Sequence, residues 1–232
     1  MGKRTENHAL YNLEELGRAI ELLLAPGCVY ELRCLGTKQG TVSGYFSDYM
    51  ELGIAATQYS GQCDGVYLVL NPVNPRLIHR SPNRTKSWVK KGETTTDEEV
   101  SERRWLLVDF DPVRPSGLSA TDDEQAFAFD RALAAREYLR QDGARGLVFA
   151  NSGNGFHLLA PSVEPNDAAA KERSALFLRH LGKKFSDARV IVDPTTFNAA
   201  RLCKFYGTMA CKGVASAANP HRLSSILEVD EL

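Results

Sequence analysis

Apolar residues recur along this chain with two different spacings, and the switches between them predict its elements. Leu13, Leu16, Ile20, Leu23 and Leu24 return at helical spacing. Asn12, with Glu15 three residues on, has the form of a capping box at the start of this helix, and Pro26-Gly27 stops it. From Cys28 to Leu35 the period falls to two: Tyr30, Leu32 and Cys34 oppose Glu31 and Arg33, which predicts a strand, and Thr41 to Phe46 is a plausible partner. Asp48 is placed to cap a short helix through Tyr59. Val66 to Leu70 then reads as a buried strand closed by Asn71-Pro72.

Periodicity is lost between Arg76 and Glu99, where Pro, Asn, Ser, Thr, Lys and Arg dominate, and the expectation is a long, mobile loop. It returns in Trp105-Leu106-Leu107-Val108-Asp109-Phe110-Asp111-Pro112, a strand pattern that ends in two acids. Thr121 and Glu124 form a second capping box, opening a helix on which Ala126, Phe129 and Leu133 share a face before Gly143. Two short strands follow, Leu147 to Ala150 and Phe156 to Ala160, joined by Asn151-Ser152-Gly153-Asn154-Gly155. A helix from about Asp167 to Phe185 and a strand Val190-Ile191-Val192 lead to Asp193. This order predicts a sheet covered by helices on one face, with the other face left open as a groove.

Composition narrows the class. With 232 residues, 43% hydrophobic and 25% charged, the chain can bury one sizeable core or two small ones, and a single catalytic domain over 1–232 is the simplest expectation. Residues 1–100 would form an N-terminal α/β layer carrying a basic loop at 76–99, and 101–232 the catalytic sheet. No apolar run approaches the length of a membrane span, and Met1 to His8 lead into no signal-peptide core. The expected location is the cytoplasm. Five scattered cysteines (Cys28, Cys34, Cys63, Cys203 and Cys211) lack finger spacing, so free thiols and no structural zinc are expected. The net charge of −1 hides two acid-free basic stretches. One holds Arg76, Arg80, Arg84, Lys86, Lys90 and Lys91 beside Trp88, a ring able to stack on a base; the other holds Arg201, Lys204, Lys212 and Arg222. Solvated loops would look the same. Flanking a carboxylate site, the two stretches fit a phosphate-rich ligand better.

The chemistry-bearing residues fall into three segments. Strand alternation buries Leu106, Val108 and Phe110 on one side and sets Leu107, Asp109 and Asp111 on the other. Paired acids repel unless a cation lies between them, and Mg²⁺ or Mn²⁺ favours such oxygen ligands. In Ser152-Gly153-Asn154-Gly155-Phe156-His157 the glycines allow close backbone approach and anion-facing N–H groups. Val190-Ile191-Val192-Asp193-Pro194 closes a third apolar run with an acid, ahead of Asn198, Arg201 and Lys204. Singly these are a strand end, a glycine-rich hairpin with a satisfied histidine, and the start of a turn. Together they make a kit for metal-assisted phosphoryl or nucleotidyl transfer.

At these residues the chain resembles the archaeo-eukaryotic primase superfamily, in particular the primase-polymerases of plasmids, phages and other mobile elements. That group is marked by an acid-x-acid motif, a Ser/Gly-rich turn leading to a strand His, and a hydrophobic-Asp motif, in this order. The likeness extends to Asn198 to Arg201, Lys204 to Thr208 and Pro220 to Arg222, and more weakly to Tyr67 to Pro72. It implies an α+β core with an RRM-like antiparallel sheet, packed by helices, plus the N-terminal layer. It implies that Asp109, Asp111 and Asp193 hold two divalent metals, Mg²⁺ or Mn²⁺. By the same likeness His157 contacts an incoming NTP or dNTP, helped by Ser152, Asn154, Gly155 and Arg201, with Lys204 and Arg222 near phosphates. Arg76, Arg80, Arg84, Lys86, Trp88 and Lys90 would meet a DNA template or primer. The expected activity is template-directed addition of nucleotides to a 3′-hydroxyl, from a primer or from two nucleotides. A template-binding or replication-initiator module and a metal-dependent nuclease or phosphohydrolase are the rival readings. Such cores often work with a helicase or accessory domain; ending at Leu232, the chain is expected to be a stand-alone enzyme or an excised module.

Overall fold

The computed structural model describes residues 10–231; the stretch Met1 to His8, read above as leading into no signal peptide, lies outside the described residues. Helix α1 (Leu13–Leu23) begins where Asn12 Oδ1 accepts the Glu15 N–H at 3.1 Å, and leads to the antiparallel hairpin of β1 (Tyr30–Thr37) and β2 (Gly40–Phe46). Asp48 caps α2 (Tyr49–Tyr59), whose chain returns as β3 (Gly65–Val69) beside β1; β4 (Arg84–Lys86) adds to β2. Next come β5 (Glu102–Pro112), α3 (Asp122–Gln141), β6 (Val148–Asn151), β7 (Phe156–Pro165), α4 (Ala168–Phe185) and β8 (Val190–Val192). The chain closes with β9 (Leu202–Lys204), β10 (Met209–Ala210), β11 (Arg222–Leu223) and β12 (Ser225–Val229).

Two five-stranded antiparallel sheets result, ordered β4-β2-β1-β3-β9 and β12-β6-β7-β5-β8, with a short β10-β11 ribbon. This is the mixed α/β architecture with helix-packed antiparallel sheets expected from the sequence. Within the second sheet the succession β5-α3-β6-β7-α4-β8 gives the spatial order β8-β5-β7-β6, that of an RRM-type sheet. Among the described residues no helix is long and apolar enough to cross a membrane.

Alternation along β5 decides the packing. Val108 and Phe110 join Phe149, Phe156 and Leu158 in a core roofed by Ala128 and Ala132 of α3 and by Leu178 and Leu181 of α4. Leu107 points the other way, with Val148, Ala150 and Leu159, into a core shared with Leu16, Leu32, Phe46 and Leu68. That second face is therefore not open along its length, as the element order alone suggests. The N-terminal layer fills most of it, because Leu107, Ala150 and Leu159 are as apolar as their neighbours across the sheet, and only the Asp109–Asp111 end stays accessible.

The segment 76–99 is also more structured than its composition predicts. Pro75, with Asn74 Oδ1 capping the Arg76 N–H at 3.0 Å, starts a 3₁₀ turn over Pro75–Arg80. Asn83, at φ 46°, lets the chain reverse into β4. Thr96 and Glu99 box a second turn, Asp97–Glu99. The fully buried Glu31 holds the loop's return: it takes Arg33 in a fork at 2.9 and 2.7 Å, the Ser43 hydroxyl at 2.6 Å and the Thr95 N–H at 2.9 Å.

Asn71 joins the two sheets. It is buried where β3 ends; its Oδ1 accepts the N–H groups of Arg104 (2.8 Å) and Trp105 (3.0 Å), and its Nδ2 donates to the carbonyls of Ala199 (3.1 Å) and Trp105 (3.3 Å). Every hydrogen-bonding capacity of the amide is used. Asn71→Ala leaves several backbone groups unpaired in the interior, so urea unfolding is expected to show a loss of about 2 to 4 kcal/mol. A loss under about 0.5 kcal/mol, the level of an ordinary surface change, would show that the clamp is dispensable.

Candidate active site

Strand β5 lies between β7 and β8, and its register builds the site. Asp109 pairs with His157 on one side, while on the other the Asp193 N–H donates to the Asp109 carbonyl at 3.0 Å, one step past the Phe110–Val192 pair. Cross-strand partners share a face, so His157, Asp109 and Asp193 stand in one row, with Asp111 two residues further along the same face. The glycine-rich turn folds over this end. A Cβ on Gly155 would lie 2.3 Å from the Phe110 carbonyl oxygen and 3.2 Å from Asp111 Oδ1, and one on Gly153, at φ 104°, would lie 2.2 Å from the Ala210 side chain. Only glycine lets the turn come this close.

A groove is lined by Asp64, Tyr67, Asp109, Asp111, Arg114, Ser152, Asn154, His157, Leu202, Lys204, Ala210 and Lys212. Six of the site residues expected from the sequence thus converge there, Asp109, Asp111, Ser152, Asn154, His157 and Lys204, joined by Lys212 of the second basic stretch. Ser152 Oγ accepts the Gly155 N–H at 3.1 Å, and Asn154 Oδ1 accepts the Ala120 N–H at 2.9 Å, so both also brace the turn. Asp193, the row's third member, and Arg201 stand outside the groove lining, joined by an Arg201 Nη2–Asp193 Oδ2 bond of 2.7 Å. The Arg222 guanidinium turns instead to the carbonyls of Ala120 and Pro220 and to Asp122, securing the approach to α3.

The electrostatics are unequal. Burial, then repulsion from Asp111 and Asp193, raises the Asp109 carboxyl well above its ordinary value against the pull of Arg201 and Arg114. Asp109 Oδ1 is buried and has no hydrogen-bond partner; His157 Nε2 stands 3.5 Å away, too far for a normal bond. Burial, reinforced by Arg201 and Lys204, depresses His157 to about 3, so its imidazole is neutral and supplies no cation. Asp193 differs. Burial works to raise it, but the Thr195 hydroxyl and N–H together with Arg201 outweigh that and hold it below the usual range. Lys204, buried at 3% exposure, donates to the Met209 carbonyl at 2.7 Å with its ammonium 5.1 Å from the Tyr67 ring centroid; burial lowers it to about 8.

Among the described residues no three His, Cys, Asp or Glu side chains stand together as a ready metal cage, Asp193 being held by Arg201 and Thr195. The donor set nonetheless suits a hard divalent cation: three carboxylates on adjacent strands, one with an orphaned oxygen whose charged form is disfavoured without a cation.

The basic segment lies at the edge of the first sheet, and acids from beyond its acid-free window meet two of its cations: Arg80 binds Glu99 at 2.5 Å and Lys86 binds Glu93 at 2.9 Å. Arg76, Arg84, Lys90 and Trp88 are exposed. Trp88, at φ 57°, sets its ring against Gly40, at the tip of the β1–β2 hairpin; near the same tip Gly36 packs on Asp64 of the groove.

Sequence reasoning missed Asp64, Tyr67 and Arg114 as groove residues, and had Lys212 only as part of the second basic stretch. Arg114, three residues after Asp111 and 3.7 Å from its carboxylate, was within reach of the motif. Tyr67 enters because it pairs with Lys204 across β3 and β9, a register that nothing in the local pattern announces.

A search with protein-family models matches nothing, and neither does a search of curated proteins. Solved structures similar to the chain include primase RepB′ (12% identity, TM-score 0.46, 93% of this chain and 56% of that one). A second is the catalytic domain of primase RepB′ in complex with initiator DNA (11%, TM-score 0.47, 93% and 84%). A third is the polymerase domain of Mycobacterium tuberculosis Ligase D in complex with DNA (13%, TM-score 0.48, 90% and 79%). The chain thus spans about half the length of the first. At these scores and identities the reading of function rests on the side chains.

Asp109 holds its proton to higher pH in the folded chain than in the unfolded one. Its contribution to stability is therefore fullest below the ordinary carboxylate pKa and is lost as pH rises through the raised value. Asp109→Asn removes that loss. At pH 7 in EDTA the variant is expected to melt about 3 °C above wild type, the shift of about 1 kcal/mol in a domain of this size, with the two curves converging near pH 4. A variant less stable than wild type at pH 7 would make Asp109 a structural acid instead.

Proposed function

We propose that the chain is a metal-dependent nucleotidyltransferase that copies a DNA template, a primase-polymerase. The observation that supports this most is the row of His157, Asp109 and Asp193, with Asp111 beside it, of which His157, Asp109 and Asp111 line a groove whose other wall carries the buried Lys204. Lys204 has no carboxylate partner among the described residues, and Ser152 and Asn154 sit on the glycine-rich turn beside it. One wall suits cations and the other suits anions, which is what a metal-bound triphosphate requires.

Asp109, Asp111 and Asp193 would hold Mg²⁺ or Mn²⁺, which when bound neutralises phosphate charge and makes a hydroxyl more acidic. The other residues bind and orient. Lys204, Arg114 and Lys212 attract the triphosphate, the Ser152–Gly155 turn limits how it lies, and neutral His157 offers a hydrogen bond without adding charge. In the reaction the 3′-hydroxyl oxygen forms a bond to the α-phosphorus, the α–β bridging bond breaks, and pyrophosphate leaves while the hydroxyl proton passes to solvent. Arg201, bonded through Nη2 to Asp193, restrains that acid until cation and nucleotide arrive. Trp88 and Lys90 lie close to the hairpin tip that borders the groove, with Arg84 further along β2 beside Gly44, a suitable edge for a single-stranded template to stack and pass.

Labelled primer-template with Mg²⁺ and each nucleotide type tests the reading. Wild type is expected to extend the primer and Asp111→Ala to lose about a hundredfold or more of that rate while keeping its melting temperature. Shortening of the primer would favour a nuclease, and a band shift without synthesis a template-binding module.

The template path has its own test, using cations without acidic partners among the described residues. Arg84, Lys90 and Lys91 changed together to serine are expected to flatten the log–log salt dependence of DNA binding by about two to three units of slope, with nucleotide affinity unchanged. An unchanged slope would move the template to the Arg201–Arg222 side.

A further inference from the structure

Tyr206 is fully buried just beyond β9, and its hydroxyl lies 2.8 Å from Nδ1 of His157. The rings meet edge to face, their centroids 5.9 Å apart. Cys203 Sγ, 3.5 Å from the phenol oxygen, is the hydroxyl's other polar neighbour among the described residues. A phenol O–H is a good donor, an imidazole nitrogen a good acceptor, and a thiol sulfur a poor one. Tyr206 therefore donates to Nδ1, and the Cys203 thiol is left to donate to the phenol oxygen. The ring's one proton then resides on Nε2, the nitrogen that stands 3.5 Å from Asp109 Oδ1. The opposite tautomer would turn its Nδ1 proton onto the phenol oxygen and leave the phenol proton to sulfur, the poorer acceptor.

We propose that Tyr206 is a positioning residue that holds His157 as its Nε2–H tautomer, so that the imidazole presents a hydrogen-bond donor to the acidic row and to a phosphate oxygen in the groove. This rests on the nucleotidyltransferase reading for the identity of the phosphate, but not for the tautomer. The chain that results runs from the Cys203 thiol to the Tyr206 hydroxyl, from there to Nδ1, and from Nε2–H outward. It ties the residue after the first sheet's last strand to the middle of the second sheet. A donor fixed in advance loses less freedom on binding nucleotide than a ring free to exchange its proton between two nitrogens.

Multiple-bond ¹⁵N–¹H NMR of the wild-type protein reads the tautomer directly, the His157 signals being those missing from His157→Gln. The expected pattern is an unprotonated Nδ1 and a protonated Nε2; a proton on Nδ1, or on both nitrogens, overturns the proposal without reference to activity or to any variant. Tyr206→Phe keeps the ring and deletes the hydroxyl. In it the tautomers are expected to mix, with the nucleotide KM rising about tenfold, the equivalent of one hydrogen bond, kcat changing less than about twofold and primer-template affinity unchanged. Adding Tyr206→Phe to His157→Ala should do no further harm, since the hydroxyl acts through the ring. An unchanged tautomer in Tyr206→Phe, or additive losses in the double variant, would also overturn it. A chain with the expected tautomer that extends no primer would instead refute the nucleotidyltransferase reading and leave the Tyr206–His157 relation standing.

Discussion

The fold places the Asp109 carboxylate where it has an acid on either side and no cation of its own. Two unit charges about 4 Å apart repel by about 1 kcal/mol in water and about 4 kcal/mol near a protein surface, a large share of a domain's margin of about 5–15 kcal/mol. The surroundings are arranged against that strain. Arg201 neutralises Asp193, Asp109 itself is pushed toward its protonated form, and His157 stays neutral beside it. A slip of one residue in the β5–β7 or β5–β8 register would turn the acids into the core under α3 and α4. Val108, Phe110, Leu158 and Val192 therefore hold the acids in place, and removing one of those apolar side chains would disturb the site as surely as touching a carboxylate.

The rest of the chain serves that row from the opposite wall. After β8 the backbone leaves the second sheet and pairs with β3 of the first, so Lys204 arrives opposite Tyr67 and Tyr206 beneath His157. It then returns as β12 on β6. Asn71 fixes the spacing at the crossing, hydrogen-bonded at once to the start of β5 and to the Ala199 carbonyl ahead of β9. The groove is thus bounded by two sheets between which the chain passes repeatedly, and the glycine-rich turn closes its third side. Such a frame is rigid where charge has to be held and open where a polymer would have to pass.

Much of this was legible in the sequence because it is local. Asn12, Asp48, Thr121 and Asp167 cap the four helices they precede, and the two-residue alternation of β5 placed Leu107, Asp109 and Asp111 on one face. The RRM-type sheet was expected from the resemblance, the element order alone giving only a sheet with helices on one face. What stayed hidden is long-range. β9, β10 and β11 are two or three residues long, too short to show a period, and they exist only because distant strands accept them. Glu93 and Glu99 lie outside the acid-free window yet fold back on Lys86 and Arg80, so a run that looks uniformly basic is partly neutralised. The same blindness hid the partner of His157: nothing near Tyr206 in sequence says that its hydroxyl meets a ring 49 residues earlier.

Location of the cation tests the account most directly. Crystals grown with Mn²⁺ and a non-hydrolysable nucleoside triphosphate, with data collected at the manganese edge, should show anomalous density within ligand distance of Asp109 and Asp111, with Asp193 turned from Arg201 to share it. The triphosphate should run from that density toward Lys204 and the Ser152–Gly155 turn. Manganese bound elsewhere, or a nucleotide ordered in the groove while Asp109 keeps its orphaned oxygen and Asp193 its arginine, would contradict it.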